Sequence, residues 1–122
     1  MDFEMMIEET KKFLEKSPIN ECTATALFTD KGNIYVTCCN TFANCCEKTD
    51  DDFSLLNDLI KSGENRILKM VTIFKQGDKS GIEVPCGWLR KYICEMNNDN
   101  INAEVKVNSE KGKLYLKDFF VQ

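Results

Sequence analysis

Val84-Pro85-Cys86-Gly87-Trp88-Leu89-Arg90 is the stretch on which the reading of this chain turns. Proline fixes its own φ and lacks an amide hydrogen, so it suits the entry to a helix, where that hydrogen would have no partner. Beyond it Trp88, Leu89, Tyr92, Ile93 and Met96 line one apolar face at helical spacing, and residues 97–100 end the run. Trp88 and Leu89 read as core residues. A thiol at a helix start has its thiolate favoured by the dipole, so Cys86 is expected to be the most reactive cysteine.

Working outward toward the N-terminus, residues 75–83 carry Gly77 and Gly81 and read as a loop, and residues 67–74 (ILKMVTIF) read as a buried strand. Before them, DDDFSLLNDLIKSG (50–63) opens on carboxylates and places Phe53, Leu56, Leu59 and Ile60 on one face before Gly63. That is a helix with both ends marked. Residues 40–49 have no clean periodicity. CTATALFT (22–29) and IYVTCC (34–39) are rich in β-formers and flank the turn Asp30-Lys31-Gly32-Asn33, which predicts a hairpin. A first helix is predicted from Asp2, a cap, to Ser17-Pro18, a stop, with Phe3, Met6, Ile7, Phe13 and Leu14 as its apolar stripe.

Toward the C-terminus, residues 101–107 predict a strand, 108–112 a turn and 114–121 a last short element. The order α-β-β-α-β-α-β with a tail predicts a three-layer α/β/α domain spanning residues 1–122. Its helices should lie on both faces of a mixed sheet of about five strands.

The composition narrows the partners. A chain of 122 residues with 43% hydrophobic content can form one core, and a net charge of −4 without a basic run disfavours duplex nucleic acid. No stretch approaches the roughly 20 apolar residues of a membrane span, and the acidic N-terminus differs from a signal peptide, so a cytoplasmic location is expected. Seven cysteines, at 22, 38, 39, 45, 46, 86 and 94, then read as reduced thiols. With no histidine in the chain, any acid/base chemistry must use carboxylates, thiolates or hydroxyls.

The stretch 84–90 resembles the P-C-G-x-C-R motif of the cytidine deaminases and the related blasticidin-S deaminases, and the helix–hairpin–helix–strand–helix–strand order extends the resemblance over nearly the whole chain. In that family both motif cysteines bind zinc, a C-A-E or H-A-E motif on the preceding helix supplies the third ligand, and its Glu moves protons. Zinc-bound hydroxide then attacks C4 of cytosine.

Counting without gaps from Gly32, the resemblance places Asp50 and Cys86 at metal positions, Leu89 at the remaining metal position and Asp52 at the proton shuttle. The sugar-contact motif N-x-E becomes Cys39-Asn40-Thr41, so Cys39 and Thr41 replace the substrate-binding amide and carboxylate. A second register sets Cys45-Cys46-Glu47 on C-A-E, making Cys45 the ligand and Glu47 the shuttle, but it needs about five residues deleted before the motif and as many inserted after it. The gapless register is preferred.

Both registers put a leucine, which has no electron pair to donate, where zinc chemistry needs a thiolate. Asp50 to Asp52 read first as helix caps. Cys38 and Cys39, being adjacent in a strand, point to opposite faces and do not easily share a metal.

The expectation is therefore a cytidine deaminase-like protein with a degraded zinc site that is catalytically inactive, needs no cofactor and acts as a binding or assembly module. Its partners would be a nucleoside-like small molecule and, by resemblance, further copies of itself in a dimer or tetramer. The alternative is a zinc-dependent deaminase of (deoxy)cytidine or a related aminopyrimidine with an unorthodox ligand set. A third reading is a redox or metal-handling role for Cys38, Cys45, Cys46 or Cys86.

Overall fold

A computed structural model describes residues 2–16, 21–39, 61–85, 87–107 and 112–120. The first helix, α1 (Phe3–Glu15), begins where the Asp2 carboxylate accepts a hydrogen bond from the Met5 amide at 3.0 Å. This satisfies one of the free amides of the first turn. Met6, Thr10 and Leu14 form its buried stripe, and Thr10 Oγ1 donates to Met6 O at 2.6 Å, so the buried hydroxyl is not left unpaired.

Two strands, β1 (Glu21–Thr29) and β2 (Ile34–Cys39), form the predicted hairpin. Gly32 sits at φ 85°, a left-handed conformation that suits glycine, and the Thr29 amide donates to Asn33 O at 2.9 Å across the turn. Residues 61 and 62 are helical and end at Gly63, also left-handed at φ 81°, as the sequence predicted for the close of the second helix. The rest of that predicted helix lies outside the described residues.

β3 (Ile67–Gln76) runs antiparallel to β1 and is the centre of the sheet. The loop expected over residues 75–83 is instead the end of β3 and a further strand, β4 (Lys79–Glu83), which pairs back on it antiparallel. The sequence KSGIE shows no apolar alternation because β4 is an edge strand. Its register comes from pairing with Thr72 to Gln76 and from the turn at Gly77, φ 61°.

The helix predicted after Pro85 is α2 (Gly87–Met96), followed by a 3-10 turn at Asn98–Asn102. The strand expected over residues 101–107 is shorter, β5 (Glu104–Lys106), and the C-terminal element divides into β6 (Lys113–Tyr115) and a 3-10 turn, Leu116–Phe120. The sheet order is β2-β1-β3-β5-β6 with β4 beside β3. The β3–β5 pair is parallel and the others are antiparallel, which makes a mixed sheet, as expected, with six strands among the described residues.

Each face of this sheet has its own core. Met6 and Leu14 of α1 pack on Ala24, Ala26, Val71 and Ile73. Leu89 and Ile93 of α2 pack on Leu27, Ile67, Met70, Ala103, Val105 and Leu116. Helices therefore cover both faces, as expected. A β-bulge at Phe28/Thr29 explains why Ile67 and Met70 share a side despite their spacing: Phe28 opposes Lys69, whereas Thr29 opposes Ile67.

Candidate functional site

The sheet face beneath α2 changes character along its length. Leu27 opposite Met70 is apolar, but the next two cross-strand pairs on that side are Thr25 with Thr72 and Thr23 with Phe74. All three threonines are buried. Thr25 Oγ1 and Thr72 Oγ1 lie 2.8 Å apart and bond to each other, which satisfies two hydroxyls that would be costly to bury alone.

β4 adds a carboxylate to this floor. Glu83 is the Cα partner of Thr72, so the pleat turns it to the same face, and Thr23 Oγ1 donates to Glu83 Oε1 at 3.4 Å. Among the described residues its second oxygen accepts no hydrogen bond and neither oxygen meets a cation. Partial burial pushes the Glu83 carboxyl above its ordinary value, and the Thr23 hydroxyl offsets only part of that. Beside it the half-buried Phe74 ring lies over Gly81, where a Cβ would come within 2.8 Å of the ring. Glycine at 81 is what lets an aromatic ring line this end of the face.

α2 runs away from this polar end. Its first residue follows Glu83 by four positions, and its Ile93 carbonyl is held at the opposite end of β3, where Asn100 Nδ2 donates to Ile93 O at 2.8 Å and Asn100 Oδ1 accepts from the Ile67 amide at 2.7 Å. The positive end of the helix dipole thus points toward the Glu83 end of the sheet.

Of the residues expected from sequence, Asp50, Asp52, Cys45, Glu47, Thr41 and Cys86 lie outside the described residues. Cys39 closes β2 with its backbone paired to Thr23, which brings that expected sugar-contact position to the polar end. Leu89 is 3% exposed and sits in the α2 core with Leu27, Met70 and Ile93. Arg90 places its guanidinium 5.0 Å from the Phe119 ring centroid and, among the described residues, pairs with no carboxylate. Cys94 is half-buried, and burial raises its thiol, so it is poorly suited to thiolate chemistry.

Glu83 and the threonines were missed by the sequence reading. Their signal was the alternation Thr23, Thr25, Leu27, which sets two hydroxyls on a strand face that otherwise carries core residues.

Against known proteins, no family model matches the sequence and no curated protein does. Solved structures do. The cytidine deaminase of Bacillus anthracis superposes with a TM-score of 0.72 at 12% identity over 95% of this chain and 84% of its own. That of Mycobacterium leprae gives 0.70 at 15% identity over 100% and 99%, and that of Burkholderia pseudomallei 0.66 at 21% over 97% and 95%. The chain has the cytidine deaminase fold.

For a chain with the cytidine deaminase fold, the zinc centre implied by the sequence motif needs an electron-pair donor at position 89. Leu89 offers none, and its side chain is part of the hydrophobic packing. Among the described residues no three cysteine, aspartate or glutamate side chains gather where they could hold a metal ion. Position 89 does not fit a zinc ligand. What the described part of this deaminase-like face can do is hydrogen-bond: it has one underpartnered carboxylate and a buried hydroxyl layer that fixes it.

Proposed function

We propose that this cytidine deaminase-like chain is catalytically inactive and works as a binding module for a nucleoside-like small molecule, assembling with further copies of itself. Leu89 carries the reading, because a side chain committed to the core leaves the metal position without a donor. The polar face around Thr23, Thr25, Thr72 and Glu83 supports the binding half of it. In place of bond cleavage, these groups orient a ligand and leave it unchanged.

The test is metal content together with turnover. Protein purified without chelator is expected to hold far less than one zinc per chain and to release no ammonia from cytidine or deoxycytidine. One zinc per chain with uridine formation overturns the proposal in favour of a deaminase with an unorthodox ligand set. Light scattering reads the assembly, and a monomer at working concentration removes that part.

A further inference from the structure

The second half of α2, the end away from Glu83, borders a groove that has no part in the binding face described above. Lys91, Cys94 and Glu95 of α2, Asn98 and Ile101 of the first 3-10 turn and Lys117 of the second line about 340 Å³ that is open to solvent on one side. The geometry points to this groove as a binding site for a small amphipathic anion, a carboxylate on a short aliphatic chain. It is separate from the nucleoside-like ligand and does not rest on it.

An apolar lining accounts for the chain. Ile101 is left 41% exposed, and beside it Cys94 is half-buried. Burial raises the Cys94 thiol, so its sulfur stays neutral and acts as a small apolar surface. Cys94 packs on the core beneath α2, as does Phe119, two residues beyond Lys117. An aliphatic chain lying in the groove would cover Ile101 and extend that core outward, each methylene gaining from its removal from water. The volume sits near the lower end of the roughly 300–1,000 Å³ of ligand pockets, which suits a chain of a few carbons.

Positive charge at the rim accounts for the head group. Lys117 Nζ lies 5.5 Å from the Tyr115 ring centroid and, among the described residues, meets no carboxylate. Lys91 has Glu95 at 4.0 Å, but both side chains are well exposed, and water and salt weaken such a pair. Arg90 stands one helical turn before Cys94 on the same face of α2 and is a third cation without a carboxylate; its buried Nε has no acceptor among the described residues. Asp118 is already engaged, accepting from the Tyr115 amide at 2.9 Å. Three cations around one lining carboxylate favour an anion, in a chain whose net charge is −4. The open side lets that anion keep water on its head while its tail is buried, so no charge is stranded in the interior.

Octanoate is the probe, with octanamide as the same tail without the charge and acetate as the charge without the tail. Titration calorimetry at pH 7 on the full chain is expected to give octanoate a Kd about fivefold or more tighter than octanamide and about tenfold or more tighter than acetate. Lys117→Glu should bring octanoate to within about twofold of octanamide, and Ile101→Ser should weaken both tailed ligands alike, with thermal melting confirming that the variants fold. Bound octanoate should also slow N-ethylmaleimide labelling of Cys94, read by peptide mass, by about threefold or more. Equal wild-type binding of octanoate and octanamide overturns the assignment, as does no binding at millimolar concentration or Cys94 labelling that octanoate leaves unchanged. An assembly that loses mass on Lys117→Glu, in a chain that binds no octanoate, overturns it in favour of a contact between copies.

Discussion

Two glutamates in this molecule meet opposite surroundings. Glu64 accepts from Thr29 Oγ1 at 2.6 Å, from Asn33 Nδ2 at 3.0 Å and from the Tyr35 hydroxyl. Those bonds, the Thr29 and Tyr35 hydroxyls foremost, hold its carboxyl down at about 2. Glu83 has one long bond from Thr23 and is pushed the other way by burial. Identical side chains are thus shifted in opposite directions, because several donors outweigh burial at Glu64 and burial outweighs the single Thr23 hydroxyl at Glu83. The first is an anchor that joins the segment after Gly63 to the β1–β2 turn; the second is a group whose charged form burial opposes.

The anchored end extends to Asn100, fully buried, which donates to Ile93 O and to Asn65 O at 2.9 Å and accepts from the Ile67 amide. One side chain there ties α2 to the start of β3. Asn100→Ala should show the largest loss, about 3 kcal/mol in urea unfolding, since it leaves buried backbone groups unpaired at both elements. A loss below about 1 kcal/mol would mean that water replaces the amide and that this end is no more fixed than the other.

Glu64→Gln comes next and has a pH signature. The folded carboxyl lies at about 2 against an ordinary 4.5, so its stabilisation is complete above the ordinary value and is lost as pH falls toward 2. The variant should melt lower than wild type at pH 7, with the gap closing between roughly pH 4.5 and 2. A gap independent of pH would show that the charge is not what the three donors hold.

Little of this contrast could be read from the sequence, although the framework around it could. The Asp30–Asn33 turn, the stripe of α1 and the Pro85 entry to α2 were legible because local chemistry fixes them: a left-handed glycine, helical spacing, a missing amide hydrogen. β4 was not, because Lys79–Glu83 acquires strand form only from its partner β3. Glu64 and Asn100 were missed for a related reason. Each looks like an ordinary polar residue between elements, and at least one partner of each arrives from more than 30 positions away, Thr29 for Glu64 and Ile67 for Asn100. Leu89 was read as a core residue and is one, since its helical stripe and its final burial express the same periodicity.

At the other end the threonine floor allows a finer test. Thr25→Val should cost about 1–2 kcal/mol by stranding the Thr72 hydroxyl, whereas Thr25→Val with Thr72→Val should recover most of that loss, because two apolar groups need no partner. If the double variant is as poor as the single one, the hydroxyls serve something beyond each other.

The smallest expected effect bears most directly on the comparison. A carboxyl whose folded value is raised above 4.5 binds its proton more tightly in the folded state, so it favours the fold at low pH and opposes it once pH rises through the folded value. At pH 7 Glu83 is therefore a mild burden, and Glu83→Gln, which keeps the shape and removes the charge, should raise the melting temperature slightly. Solvent reaches this side chain, so the gain should be no more than about 0.5 kcal/mol after screening. The same substitution at Glu64 is expected to lower it. Opposite signs from one chemical change at two sites would establish that the fold uses one carboxylate and tolerates the other; matching signs would collapse the distinction and make Glu83 a second anchor.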